Sequence, residues 1–224
     1  MNLEIFKKRF PGKNFEDFRP HPNGGGLVEK TATVELGAIV RPQAIVCDEA
    51  KVLDKAMICD EAIVKDRATV RDKAMVCDKA MVCGWALVAG DTMVYDMATV
   101  GGSATTDHDA RVCGNATVGN NARVCNRARV DGRAMLCGEA KAYDSVRCTA
   151  GIFYKHIISF SMGIHTLTLQ GDGSITIGCI HLSAAEWLAK YEQIGEQEEY
   201  GQDQMQAYGA IIKLINEGKL RYED

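Results

Sequence analysis

Large aromatic side chains are scarce. Phe, Trp and Tyr together make up 7% of the 224 residues, so any core has to be built from small aliphatic groups. No apolar stretch approaches the ~20 residues of a membrane span, so no membrane partner is expected. The first residues, MNLEIFKKRF, lack the apolar run of a secretory signal. An excess of positive charge is missing too: the formal net charge is −4, which argues against nucleic acid as a partner. The nine cysteines are odd in number and mostly single rather than in CxxC pairs. That pattern disfavours a disulfide framework or a zinc site and leads us to expect free thiols in the reducing cytoplasm.

What the chain does have is a period. Stepping by six from Val28 gives Val34, Val40, Val46, Val52, Ile58, Val64, Val70, Val76, Val82, Val88, Val94 and Val100, then Thr106 and Val112 through Leu136. Alanine lies two positions before nearly every one, and Asp or Gly usually two positions after, so a unit reads A-x-V-x-(D/G)-x. In a strand, residues two apart share a side, so Ala and Val point together and the residue between them points away. Asp, Asn and Gly then supply a corner that tolerates unusual backbone angles. Three such units make a triangular coil. About seven coils stacked at ~4.8 Å make a prism roughly 35 Å long. A six-residue period does not hold one face of an α-helix in line, so the helical alternative fails.

Units such as Val46-Cys47-Asp48-Glu49-Ala50-Lys51 and Val118-Gly119-Asn120-Asn121-Ala122-Arg123 resemble the hexapeptide-repeat, left-handed β-helix superfamily. The resemblance covers about residues 26–150 and looks most like the YdcK-type members. It implies a mainly β fold, a single-stranded left-handed parallel β-helix, followed by a small C-terminal α+β module. The superfamily includes many acyltransferases, usually trimers, as well as carbonic-anhydrase-like proteins. The expected division is an N-terminal cap over 1–26, the β-helix over 27–150, and a β-hairpin with two helices over 151–224.

Residues eighteen apart stack on one wall, which sorts the outward positions into three columns. The first reads Leu27, Ile45, Ile63, Met81, Thr99, Thr117 and Met135. The second reads Thr33, Lys51, Thr69, Leu87, Thr105, Arg123 and Lys141 and is an ordinary solvated wall. The third reads Ile39, Met57, Met75 and Met93, then changes to Arg111, Arg129 and Arg147. Soluble proteins do not usually leave apolar stripes such as Ile45–Ile63–Met81 and Met57–Met75–Met93 wet. Either a second subunit covers them, in a dimer or trimer, or the C-terminal segment folds back over one. Stacked guanidinium groups repel unless an anion or acids neutralise them, so Arg111, Arg129 and Arg147, with Arg123 on the same coils, form a candidate anion site. The corner aspartates are read as turn residues rather than calcium ligands, and no metal site is assigned.

The pattern breaks at Thr105-Thr106-Asp107-His108-Asp109, where Thr106 replaces an inward aliphatic and His108 stands at a corner. Resemblance to the acyltransferases makes His108 the candidate general base. No loop interrupts the coils to shape an acceptor pocket, which favours a plain turn residue. After the repeat, Ile152–Phe160 and Ile164–Ile180 read as strands, with a hairpin at Gly171-Asp172-Gly173 that sets Leu169 opposite Ile175 and Leu167 opposite Ile177. This register places His165 opposite Cys179 with His181 next on the same face, a candidate metal or nucleophile cluster. Ser183-Ala184-Ala185-Glu186 is a capping box that opens a helix, and a second helix is predicted over residues 203–216. Phe6, Phe10, Phe15 and Phe18 are expected to plug the first coil, since solenoid ends need caps.

Two functions fit these features. The first is a non-catalytic, oligomeric binding or scaffold protein without a cofactor, sequestering an anionic, nucleotide-like small molecule or a protein partner. The second is an acyltransferase using a coenzyme A thioester, with His108 as base and the arginines holding phosphates. Whether the protein is an enzyme stays open.

Overall fold

A computed structural model describes residues 3–143, 146–153, 157–162, 165–170, 172–178 and 180–221. The repeat folds into a parallel β-solenoid of about seven turns with three walls of nine, seven and seven short strands. Pairing is in register one coil apart, so that Met75 lies between Met57 and Met93 and Val76 between Ile58 and Val94. The Ala and Val of each unit point into the lumen, where Val40, Ala56, Val76, Ala98, Val118 and Val130 are among many with no exposed surface. A small residue is favoured at the alanine position because three walls converge there; Thr92 and Val146 take the same position and are also buried.

From Asp48 onward each described corner is a tight turn whose second residue has positive φ, as at Asp72 (φ 62), where the turn closes through Ala74 N–H to Arg71 O at 3.2 Å. Aspartate contributes more than tolerance of this angle. The Asp48 carboxylate accepts from the Asp66 amide, Asp54 from Asp72, Asp60 from Asp78, Asp66 from Gly84, Asp72 from Gly90, Asp78 from Asp96 and Asp96 from Gly114, at 2.8–3.3 Å. Each of these aspartates thus satisfies a corner amide one coil on that the sheet leaves unpaired.

The aromatic residues near the start do something other than the expected plugging. Phe6, on helix α1 (Leu3–Arg9), packs with Phe10, Phe15 and Phe18 against Leu27, Ile45 and Cys47, which lie on the outside of the first wall. The first coil is closed instead by a strand, Phe18–Pro20, paired antiparallel with Leu27–Glu29, and by the loop that follows it. A Cβ on Gly26 would run into the Arg41 carbonyl and the Val40 side chain, so the loop lies directly on the coil.

At the other end the repeat continues beyond residue 150. Ile152–Phe153 pairs in parallel with Met135–Leu136, with Phe153 buried in the lumen. This last step spans seventeen residues rather than eighteen, which is why stepping by six loses the phase. A four-stranded antiparallel sheet follows, formed by Ser159–Met162, His165–Leu169, Ile175–Ile177 and Ile180–Leu182. Leu167 does pair with Ile177 and Leu169 with Ile175; Gly171 of the hairpin lies outside the described residues. Helices α2 (Ala184–Gln197, opened by the Ser183/Glu186 capping box) and α3 (Gln202–Asn216) cover the apolar face. Trp187, Tyr208, Ile212 and Ile215 are buried there with Leu167, Leu169, Ile175 and Ile177. The buried Gln170 joins this module to the solenoid, accepting from the Thr149 amide at 2.9 Å and donating to the Arg147 carbonyl at 3.0 Å. No helix among the described residues is long and apolar enough to cross a membrane.

Candidate functional site

The arginine column of the third wall is continuous, with Arg111 paired to Arg129 and Arg129 to Arg147. Its repulsion is relieved by Asp131, a buried residue just past the strand. One carboxylate oxygen accepts from Arg129 Nε at 2.7 Å and from Arg147 Nε and Nη2 at 3.1 and 2.9 Å. Two of the three guanidinium groups are therefore already paired. Arg111 is exposed and makes no ion pair among the described residues. Arg123 lies on the second wall between Thr105 and Lys141 and is exposed, so it does not join the column.

His108 occupies its corner with φ 61, its ring 64% exposed. Gly90, one coil below, offers no carboxylate, and the His108 amide is satisfied instead by Asp107 Oδ1 at 2.7 Å. The other Asp107 oxygen lies 3.5 Å from His108 Nδ1. Inside the same coil Thr106 has no exposed surface, and its hydroxyl has no hydrogen-bond partner among the described residues. Thr92, also buried, donates to the His108 carbonyl at 3.4 Å.

The apolar stripes are covered unequally. Ile45 is buried beneath the N-terminal aromatics, so a segment of the chain covers this part of the first wall, and it is the N-terminal one. Arg9 anchors that segment by donating to the carbonyls of Gln43 and Glu61. Lys13 adds ion pairs to Glu29 at 2.8 Å and Asp48 at 2.5 Å. Burial disfavours the Asp48 anion, but hydrogen bonds from Lys13 and the Asp66 amide outweigh it and hold its pKa below the usual value. Burial and the neighbouring Asp48 charge push the Cys47 thiol up to about 12. Ile63 and Met81 on the first wall, and Met57, Met75 and Met93 on the third, stay half-buried.

In the C-terminal module the chain reverses after Ile177, which pairs with Ile180, and this sets His181 opposite Thr176. Because alternate residues face opposite sides, His181 lies on the other face from Leu167 and His165, contrary to the same-face expectation. Its Nδ1 meets Thr149 Oγ1 and Thr176 Oγ1 at 3.1 and 3.0 Å, and its Nε2 meets Ser174 Oγ at 3.2 Å. The His165 ring packs against Tyr200 with centroids 4.9 Å apart. Cys179 lies outside the described residues. The two histidines thus serve separate structural contacts.

Sequence reasoning missed the column that follows the third wall: Arg41, Cys59, Cys77, Tyr95, Cys113 and Asp131. A usable signal was present in the tripeptides Ile58-Cys59-Asp60 and Val76-Cys77-Asp78, one coil apart. The Sγ atoms of Cys59 and Cys77 and a carboxylate oxygen of Asp60 all lie within 4.8 Å of one another. The adjacent Cys77 thiol, helped by Arg41, outweighs burial and draws the Cys59 pKa down, while the adjacent Cys59 and burial raise that of Cys77. Beside them a shallow groove of about 610 Å³ runs along the corner, lined by Asp60, Glu61, Asp78, Lys79, Asp96 and the exposed Met97. At the first corner Trp85 stands 63% exposed with the Arg67 guanidinium 4.6 Å over its ring. No family model, curated protein or solved structure matches this chain.

Proposed function

We propose that the protein is a non-catalytic scaffold of the hexapeptide-repeat, left-handed β-helix kind, YdcK-like in its regular units, that associates with copies of itself. The observation that carries this reading is the Met57–Met75–Met93 column on a flat wall of constant strand spacing. A second copy presents the same wall with the same spacing, so two such surfaces mesh without adjustment, whereas an unrelated surface would have to match the period. The eight described cysteines are free thiols, which fits a cytoplasmic setting. Arg111, which makes no ion pair among the described residues and lies next to Arg129, is where an anionic ligand or an acidic partner would engage the assembly. Sedimentation of the wild-type chain and of Met75→Arg tests the reading. A dimer or trimer that dissociates in the variant supports it, and a wild-type chain that stays monomeric at every concentration removes it.

One observation favours a second reading, a coenzyme A-dependent acyltransferase. The Asp107 carboxylate lies beside His108 Nδ1, the orientation in which an acid holds an imidazole that acts as base. Acetyl-CoA turnover with amine and alcohol acceptors, lost in His108→Ala, would establish it. Absence of both binding and turnover leaves the scaffold.

A further inference from the structure

We infer that Cys59, Cys77 and Asp60 form a binding site for a single thiophilic divalent cation, with zinc as the type ion, facing the groove along the third corner. The donors come from two adjacent coils whose register is set by the parallel ladder, Cys59 N–H bonding to Val76 O at 2.8 Å and Cys77 N–H to Val94 O at 2.9 Å. A tetrahedral zinc with Zn–S of about 2.3 Å separates two sulfurs by roughly 3.8 Å. The three ligand atoms already lie within 4.8 Å of one another, so small side-chain rotations close the site without moving backbone. Asp60 Oδ2 is held by the Asp78 amide at 3.3 Å, which fixes the carboxylate and leaves Oδ1 to ligate. Two thiolates and one carboxylate carry three negative charges, the ion carries two positive, and Arg41, one coil before Cys59 in the same column, supplies the last. Arg41 thereby plays the part of an outer-shell partner, and both thiol protons leave to solvent on binding. Asp60 also lines the groove, whose Glu61, Asp78 and Asp96 add negative charge that attracts a cation.

The cluster of Glu29, Cys47 and Asp48 has the same donor types but is different in kind. Lys13 sits on both of its carboxylates and takes the place a cation would occupy. A merely accidental meeting of thiols and acids would not distinguish the two clusters; a built site at Cys59 would.

Cadmium titration of the reduced full-length chain tests this through the sulfur-to-cadmium charge-transfer absorbance, with zinc affinity measured by competition against a chelating dye. One ion per chain is expected, lost in Cys59→Ser and in Cys77→Ser and unchanged in Cys83→Ser and Cys113→Ser. Asp60→Asn keeps the acceptor for the Asp78 amide and the tolerance of positive φ, so it preserves the fold. It should still weaken binding at least about tenfold. No charge-transfer band, a band that survives both Cys59→Ser and Cys77→Ser, or zinc affinity unaltered in Asp60→Asn overturns the assignment. So does a reduced protein that ignores both ions yet forms a Cys59–Cys77 disulfide with peroxide, an outcome that makes the pair a redox couple.

Discussion

The early and late coils of the solenoid share one lumen but hold their corners by different means. From Asp48 to Asp78 every described corner carries aspartate, and each carboxylate satisfies an amide one coil on. From Gly84 onward Asp96 is the only aspartate at a described corner, and glycine, asparagine and His108 take the other positions. Glycine meets the angular demand but passes no acceptor to the next coil. The His108 amide, above Gly90, therefore turns to Asp107. The late coils also carry the departures from regularity: the lumen hydroxyls of Thr92 and Thr106, the arginine wall and the buried Asp131. A repeat can be regular in shape while its local stability differs from coil to coil, because each coil contacts only its neighbours.

The largest effect that would sharpen this contrast lies in the late coils. Asp131→Ala leaves Arg129 and Arg147 facing each other without an acid and should destabilise the chain by about 3 kcal/mol in chemical denaturation. The same variant should bind polyphosphate at the freed arginines, with an affinity that falls as salt is raised. In the early coils Asp72→Ala removes the acceptor for the Gly90 amide and places alanine at φ 62, a loss of about 2 kcal/mol. Asp72→Asn should cost under ~0.5 kcal/mol, and faster hydrogen exchange at Gly90 in the alanine variant alone would locate the cause. Thr106→Val replaces a buried hydroxyl that has no partner among the described residues with a methyl of similar shape and should stabilise the late coils by about 1 kcal/mol in thermal denaturation. A loss of stability there would mean that the hydroxyl is satisfied in solution.

The smallest effect is the pH dependence of the N-terminal cap. The folded pKa of Asp48 lies below its ordinary value of 3.8. Its contribution is therefore complete above that value and lost as the pH falls through the folded pKa. Lys13→Met removes the cause, so stability should fall less steeply with acid below about pH 4 in the variant than in the wild type. Parallel acid profiles for the two would break the link between Lys13 and the first corner.

The six-residue period made the walls, the lumen and the corner residues readable in advance, because burial alternates with strand geometry and only a few side chains tolerate the corner angle. The period breaks where one residue is missing. The Met135-to-Ile152 step is one short, so counting by six lands beside Phe153 rather than on it. The alternation of faces breaks at His181, because Gly178 (φ 59) lies where the chain reverses and pairing resumes at Ile180, moving the histidine to the opposite face. The arginine column was visible as a series of like charges. Its neutraliser was not, since Asp131 stands in a different position of the unit from the arginines it serves. Cys59 and Cys77 were separable from the other cysteines only by asking what lies one coil away from each.

The sequence by itself determined that small and branched side chains alternate every six residues, and hence that the chain coils into a three-walled solenoid with free outward columns. Tertiary structure alone decided which columns are covered and which charges are paired. The N-terminal helix lies on Ile45 rather than in the lumen, Lys13 fills one acidic cluster, and Cys59 and Cys77 meet in another. The physical reason is one of range. Alternation and turn angles are local and repeat with the chain, whereas cover, ion pairing and thiol proximity depend on residues brought together across coils.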